Sequence, residues 1–271
     1  MADPDNAFTG SVPELYSRYM EPMLFAPYAR DLARRIARRP GTDTLETACG
    51  TGALTRALRR ALPEPATITA TDLNPAMLDH ARTLPGADRV RWQQANAQDL
   101  PFPDAAFDTV VCAFGVMFFP DKPRAYREAL RVLRPGGRFL FAVWNELETM
   151  ELQFIAHTAA AALYPRDPPQ FLRRTPCGYH DQAAIRADLA GTGFAAPRIE
   201  TLERTSQAAS AAAAAIGFVR GTPLGGEITA RDPAGLDRAE AAVRAAITDR
   251  FGAGPIRARM QAHVVIVRRA S

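Results

Sequence analysis

Lysine is nearly missing from this chain: Lys122 is the only one, and arginine supplies every other basic side chain. The arginines are scattered along the sequence and no dense basic patch interleaved with aromatics appears, so the formal charge of +4 does not point to nucleic acid. Cysteine is scarce too. Cys49, Cys112 and Cys177 are odd in number and widely spaced, with neither a CxxC pair nor a histidine at metal-ligand spacing. They read as reduced thiols, two of them on buried strands, and no metal site is expected. No run approaches the roughly 20 apolar residues that cross a bilayer. The acidic, polar start over residues 1–11 lacks a basic and then apolar leader pattern. The expectation is a cytoplasmic protein with no membrane span.

What is present is an ordinary globular composition, 47% apolar and 23% charged. A length of 271 residues exceeds the usual single domain, so one α/β core carrying insertions is expected rather than two domains. From 44 to 144 short β-rich runs alternate with helical patterns, the signature of βαβ units and a parallel sheet. The runs are 44–48, 67–71, 90–95, 107–113 and 138–144. Leu54, Leu58 and Leu62 recur every four residues, as one helix face requires. A later helix is capped by Asp121, carries Pro123 in its first turn and lines one side with Tyr126, Leu130 and Leu133; Pro135-Gly136-Gly137 stops it.

Outside this core, 12–39 reads as one or two helices broken near Pro22 and Pro27, and 146–164 as helix. A proline-rich loop over 165–176 precedes a helix at 181–189 and a strand at 198–203. The alanine-rich 208–215 favours helix. Asp232-Pro233 opens an amphipathic helix with Leu236, Val243, Ile247 and Phe251, and 263–267 reads as a last buried strand.

The strongest local signal is Leu45-Glu46-Thr47-Ala48-Cys49-Gly50-Thr51-Gly52, a strand ending in a small-residue turn ahead of a helix. Small side chains let backbone amides approach a ligand, and the helix start offers unpaired N–H groups. The next strand ends in Asp72, about 20 residues on, where a carboxylate can accept both hydroxyls of a ribose. The plainer alternative makes Gly50 and Gly52 a tight turn and Asp72 a start for the helix at Asn74-Pro75. Two more segments bear on the choice: Gln94 to Asp104, containing Leu100-Pro101-Phe102-Pro103-Asp104, before a strand beginning Phe107-Asp108, and Val132-Leu133-Arg134-Pro135-Gly136-Gly137-Arg138 before the fifth strand.

These four segments, in this order and spacing over 41–144, resemble the class I S-adenosylmethionine-dependent methyltransferases, especially the branch of ubiquinone and menaquinone biosynthesis C-methyltransferases. The resemblance implies an α/β, Rossmann-like, seven-stranded and mainly parallel sheet with helices on both faces, the last strand antiparallel, and helical lid insertions. It implies one domain over 1–271: an N-terminal helical lid at 1–40, a cofactor-binding core at 41–144, and lid or substrate insertions at 145–180 and 205–258. The cofactor implied is S-adenosyl-L-methionine. Ala48, Cys49, Gly50, Thr51 and Gly52 would form the loop beneath its methionine and ribose; Asp72 would take the ribose hydroxyls; Leu73 and Met77 would flank the adenine. Asn96 and Ala97 would meet the adenine edge beside Gln98, and Ala113 and Phe114 would hold the methionine part. Tyr16 and Tyr19 resemble aromatics of a covering N-terminal helix. Two departures stand out. Ala48 replaces the usual first glycine of the loop, which implies φ below zero there, and Asn96 is an amide where an acid is common, still able to pair with the adenine through its carbonyl.

Methyl transfer from a sulfonium needs alignment more than a base. Where the acceptor is a hydroxyl, His180 is the candidate proton acceptor, though the plainer reading is that it simply helps start the helix that follows. Met117, Phe118 and Phe119, with Phe114, read as a pocket for a flat or greasy acceptor or else as core; Tyr179 and His157 join them as candidate pocket residues, His157 also reading as packing. The partner expected is a small-molecule methyl acceptor, whether O, N or C nucleophile, and neither a monomer nor a homodimer is favoured. Two alternatives remain: a protein of this fold that binds the cofactor without methylating, and an NAD-dependent dehydrogenase. The latter lacks its third fingerprint glycine, because Thr55 stands at that place.

Overall fold

The computed structural model describes Asp5 and residues 8–270; residues 1–4, 6, 7 and 271 lie outside the described residues, and with them most of the polar start. Seven strands, β1 (Asp43–Glu46), β2 (Thr67–Asp72), β3 (Val90–Gln94), β4 (Phe107–Ala113), β5 (Leu133–Trp144), β6 (Arg198–Ala208) and β7 (Ile256–Arg268), form one sheet. Their order is β3-β2-β1-β4-β5-β7-β6. The first five are parallel, and β7 runs antiparallel between β5 and β6. This is the Rossmann-like, mainly parallel sheet with its antiparallel last strand that the sequence implied.

Central strands are covered by helices on both faces, so their sequences are continuously apolar rather than alternating. Val110, Val111 and Cys112 of β4 and every residue from Phe139 to Trp144 of β5 are buried. Four of the helices are started by a side chain. Asn74 accepts the Ala76 N–H ahead of Pro75–Thr83, and Asp121 accepts the Arg124 N–H ahead of Lys122–Val132. Asp181 and Ser210 do the same for Gln182–Leu189 and Ala211–Arg220.

The structure departs from the sequence reading in several places. No break occurs near Pro22 and Pro27: Val12–Leu15, Tyr16–Phe25 and Ala26–Ala37 follow without interruption, the middle segment in π register with Pro22 inside it. The wider turn accommodates a residue that has no N–H and whose ring would crowd the carbonyl one α-turn back, while Pro27 sits in a first turn, where proline is tolerated. β6 and β7 are longer than expected, because each supplies the other's hydrogen bonds along Arg198–Ala208. Ala208 therefore ends a strand and the alanine-rich helix begins at Ala211. Leu224–Arg231 and the short Phe171–Arg174 are helices inside segments read as connections.

The insertions pack together rather than standing apart. Glu151–Ala162 and Ala211–Arg220 both lie against Leu236–Phe251, and Ala211–Arg220 also packs on the π segment at the N-terminus. Among the described residues no helix is long and apolar enough to cross a membrane.

Candidate functional site

At the carboxyl ends of β1, β2 and β4 the chain leaves the sheet around a cavity of about 780 Å³. Its wall begins with the glycine turn. Thr47 N–H donates to Val111 O (2.9 Å) and Cys49 N–H to Thr71 O (2.9 Å), which pins the turn between its neighbours β4 and β2. Gly50 then takes φ +54 with no atom near the place of a side chain, and Gly52, at φ +80, starts the helix Ala53–Ala61. A side chain on Gly52 would press on Trp92 and Arg56, so its role is the turn itself; it does not line the cavity.

Asp72 holds this turn to the next one. Its Oδ2 accepts the Gly50 N–H (2.8 Å) and its Oδ1 the Asn74 N–H (2.8 Å). Burial raises its pKa above the ordinary carboxylate value, against these N–H groups, which favour the anion. Each oxygen keeps a lone pair, and the residue lines the cavity. Asp72 thus organises the turn, and it also lies on the wall of the cavity.

Ala48 overturns one expectation. It adopts φ +51, a left-handed backbone that glycine takes freely and alanine at a cost. Its methyl lies where a side chain on Gly115 would have to be, so the two small residues are fitted to each other. Phe114, at φ +59, is the second strained position on this wall, held by stacking on Trp144 with ring centres 3.7 Å apart. Such conformations persist where surrounding packing enforces them. Ala48→Gly should raise stability by about 0.5–1 kcal/mol, the left-handed penalty less the extra freedom glycine has when unfolded. The urea midpoint reads this directly, and a fall instead of a rise would mean that the methyl's packing outweighs the strain.

Of the residues singled out in the sequence, Ala48, Cys49, Gly50, Thr51, Asp72 and Leu73 line the cavity. So do Met77, Asn96, Ala97 and Gln98 on one side and Ala113, Phe114, Phe118 and Phe119 on the other. Asn96 Oδ1 accepts the Gln98 N–H (2.9 Å), and Gln98 Oε1 the Asp121 N–H (2.6 Å), so these amides also shape their own loop. Tyr16 lines the cavity and Tyr19 does not: Tyr19 lies against Gly217 of Ala211–Arg220. Met117 is buried outside the cavity.

The histidine and tyrosine candidates sit elsewhere as well. His180 Nδ1 lies 2.8 Å from Cys177 O. Tyr179 donates its hydroxyl to Asp188 (2.7 Å) and shares a contact with the Tyr126 hydroxyl (3.2 Å). His157 is buried, and burial, then the nearby Arg173, lowers its pKa and keeps it neutral. None of the three lines the cavity. Among the described residues no three His, Cys, Asp or Glu side chains converge as metal ligands.

Several lining residues escaped the sequence reading. Phe8 and Phe25 complete an aromatic cover: Tyr16 stacks on Phe25 (5.1 Å between centres), and Phe8 meets both Tyr16 and Phe118 edge-on (5.9 Å each). The cover is tied down by Glu21, which pairs with Arg56 and accepts from Thr51 Oγ1 (3.2 Å), and by Asn74 Nδ2, which donates to Phe8 O (2.8 Å). Glu46 is the other omission, and it carried a signal: a carboxylate inside an apolar strand just before the glycine turn. It is 1% exposed, with Oε2 accepting the Thr55 hydroxyl at 2.6 Å. Burial pushes its pKa up to about 8, with the Asp72 charge adding to this and Thr55 and Arg56 opposing. Burial, then the Asp72 and Glu46 charges, likewise pushes the Cys49 thiol well up, so it stays protonated and is no nucleophile.

The methyltransferase-domain family matches residues 45–141. A ubiquinone/menaquinone biosynthesis C-methyltransferase from Hahella chejuensis is 42% identical over 106 residues, 38% of this chain and 43% of that protein. The chain thus matches less than half the length of that relative. One from Azotobacter vinelandii is 32% identical over 169 residues, covering 58% of this chain and 67% of the relative. Among solved structures, the YcgJ protein from Bacillus subtilis superposes with a TM-score of 0.57 at 20% identity, over 90% of this chain and 99% of that one, a likeness of fold. Sheet order, the position of the cavity and these sequence matches agree: the chain belongs to the class I S-adenosylmethionine-dependent methyltransferases.

Proposed function

We propose that the chain transfers a methyl group from S-adenosylmethionine to a small-molecule acceptor, and that the 780 Å³ cavity holds both. The observation that carries this reading is the carboxylate of Asp72 facing the same space as the open Gly50 turn, since a vicinal diol needs the first and a closely approaching ligand backbone the second. The volume lies within the range of small-ligand pockets. Asp72 receives the ribose hydroxyls, Leu73 and Met77 flank the adenine, and Asn96, Ala97 and Gln98 meet its edge. Ala48 to Thr51, with Ala113 and Phe114, hold the methionine part. Gly52 supports the turn from behind.

The sulfonium supplies an already activated methyl carbon, so alignment does most of the work. Phe114, Phe118 and Phe119 form an apolar wall against which a flat acceptor, aromatic or quinol-like, lies in line with that carbon. Tyr16, Phe25 and Phe8 close the space and keep water from it. The N-terminal helix up to residue 40 serves as the lid, braced from behind by the insertions. With His180 turned to a backbone carbonyl, a proton released by a hydroxyl acceptor passes to solvent. Nothing in the reading calls for nucleic acid as the acceptor.

The test is product formation. Incubation with S-adenosylmethionine and a panel of quinols, phenols and amines should generate S-adenosylhomocysteine, and His180→Ala should retain turnover within about threefold, well short of the 10²-fold or more that a general base contributes. Tight binding of S-adenosylhomocysteine with no product from any acceptor would instead support a non-methylating protein of this fold. A His180→Ala loss above a hundredfold would restore the histidine as base.

A further inference from the structure

Arginines that are scattered in sequence converge in space at the end of the sheet opposite the cofactor cavity. A second cleft, of about 500 Å³, opens where the N-terminal helix ends and β5 and β6 begin. Arg34, Arg38 and Arg39 enter it from the helix end, Arg198 and Arg268 from the strand ends, and Arg35 and Arg138 from within. Among the described residues only two carboxylates line it, Asp31 and Glu200, and both are committed. Asp31 is held by Arg35 (2.5 Å) and Arg204 (3.1 Å), Glu200 by Arg35 (2.9 Å) and Arg198 (2.7 Å). Among the described residues, Arg34, Arg38, Arg39 and Arg268 have no carboxylate within ion-pair distance.

The helix end does not account for them. Its orphan carbonyls are already capped by Arg138, which donates to Ile36 O (2.7 Å) and Arg39 O (2.6 Å). A helix terminus carries about half a charge, and Arg138 alone exceeds that. Burial first, then the like charges of Arg268 and Arg39 nearby, lowers the pKa of Arg138. Between the guanidinium groups the floor is apolar, formed by Leu140, Ile266 and Val267.

We propose that this cleft binds a small oligophosphate, its negative charges taken by Arg34, Arg38, Arg39 and Arg268 and any attached ring laid on the apolar floor. Guanidinium groups bind phosphate oxygens through paired N–H donors, and four without a carboxylate partner match a ligand bearing three or four negative charges. A cleft of this volume takes a small molecule, whereas a nucleic acid needs a surface that extends along its backbone.

Calorimetric titration of the full chain, saturated with S-adenosylhomocysteine to keep nucleotides out of the other cavity, tests this. Tripolyphosphate should bind at one site with Kd below about 1 mM in 0.15 M salt, and inorganic phosphate far more weakly. Arg38→Ala and Arg268→Ala should each weaken tripolyphosphate binding about tenfold, as expected for one charge-assisted contact. Both side chains are exposed, so melting temperatures and S-adenosylhomocysteine affinity should stay unchanged. ATP binding more tightly than tripolyphosphate would identify a nucleotide as the occupant; equal affinity would identify the phosphate chain alone, and either supports the site. The proposal is overturned by the absence of saturable binding, by binding that ignores both substitutions, or by a single-stranded oligonucleotide that displaces tripolyphosphate at lower concentration.

Discussion

Asp72→Ala is expected to weaken binding of S-adenosylhomocysteine by about a hundredfold or more, the loss of two charge-assisted hydrogen bonds worth roughly 3 kcal/mol together. The other carboxylates near the glycine turn are already engaged, Glu46 with the Thr55 hydroxyl and Glu21 with Arg56 and the Thr51 hydroxyl. The same substitution strips the acceptor from the Gly50 and Asn74 N–H groups, so part of the loss arises from a loosened turn. Asp72→Asn keeps the size and one of the two acceptors but turns an NH2 group toward the other N–H, so it should loosen the turn less than alanine does while still losing most of the affinity. Titration beside thermal melts reads both quantities. Undiminished affinity in Asp72→Ala would remove the basis of the proposed function.

The second large effect concerns pH. Glu46 has a folded-state pKa of about 8, well above that of a carboxyl in the unfolded chain. A group whose pKa rises on folding contributes stability that is fully present below its unfolded value and is lost as pH climbs to the folded value. For Glu46 that window runs from about pH 4.5 to pH 8, and between pH 5 and pH 8 the loss amounts to several kcal/mol, on the order of 1.4 kcal/mol per pH unit. Glu46→Gln keeps an acceptor for the Thr55 hydroxyl and cannot ionise. Urea unfolding of both proteins at pH 5, 6.5 and 8 should show the wild-type chain losing that much more stability than the variant. Parallel profiles would mean that Glu46 is solvated when charged.

How far the sequence disclosed this molecule depended on what each signal encodes. The strands of the core were legible because buried parallel strands are short continuous apolar runs between turn residues, as in β4 and β5. The turn at Gly50 and the carboxylate at Asp72 were legible because their chemistry depends on local spacing. Backbone conformation was not: Ala48 was expected at negative φ, and only the fit of its methyl over Gly115 explains why it sits at +51. The π register was equally invisible, and it decides which tyrosine faces the cavity. In that wider turn, residues three apart swing further from a shared face than in an α-helix, so Tyr16 points into the cavity and Tyr19 onto Gly217. The expectation for His180 rests on its resemblance to the family's pocket residues and on the chemistry of imidazole, neither of which encodes orientation, and Cys177 O three residues back holds it instead. The arginine cleft could not be read at all, since its members come from four separate stretches of chain.

The position of β7 also constrains when the molecule can become itself. β6 bonds to β7 alone, and β7 occupies a slot between β5 and β6 rather than an edge. During synthesis, Arg198–Ala208 emerges with no place in the sheet, and the apolar flank of β5 stays uncovered until Ile256–Arg268 arrives. Contacts so distant in sequence form slowly and leave pairing edges open in the interim. Until β7 has been made and docked, the chain therefore has a core that is built but unsealed along β5.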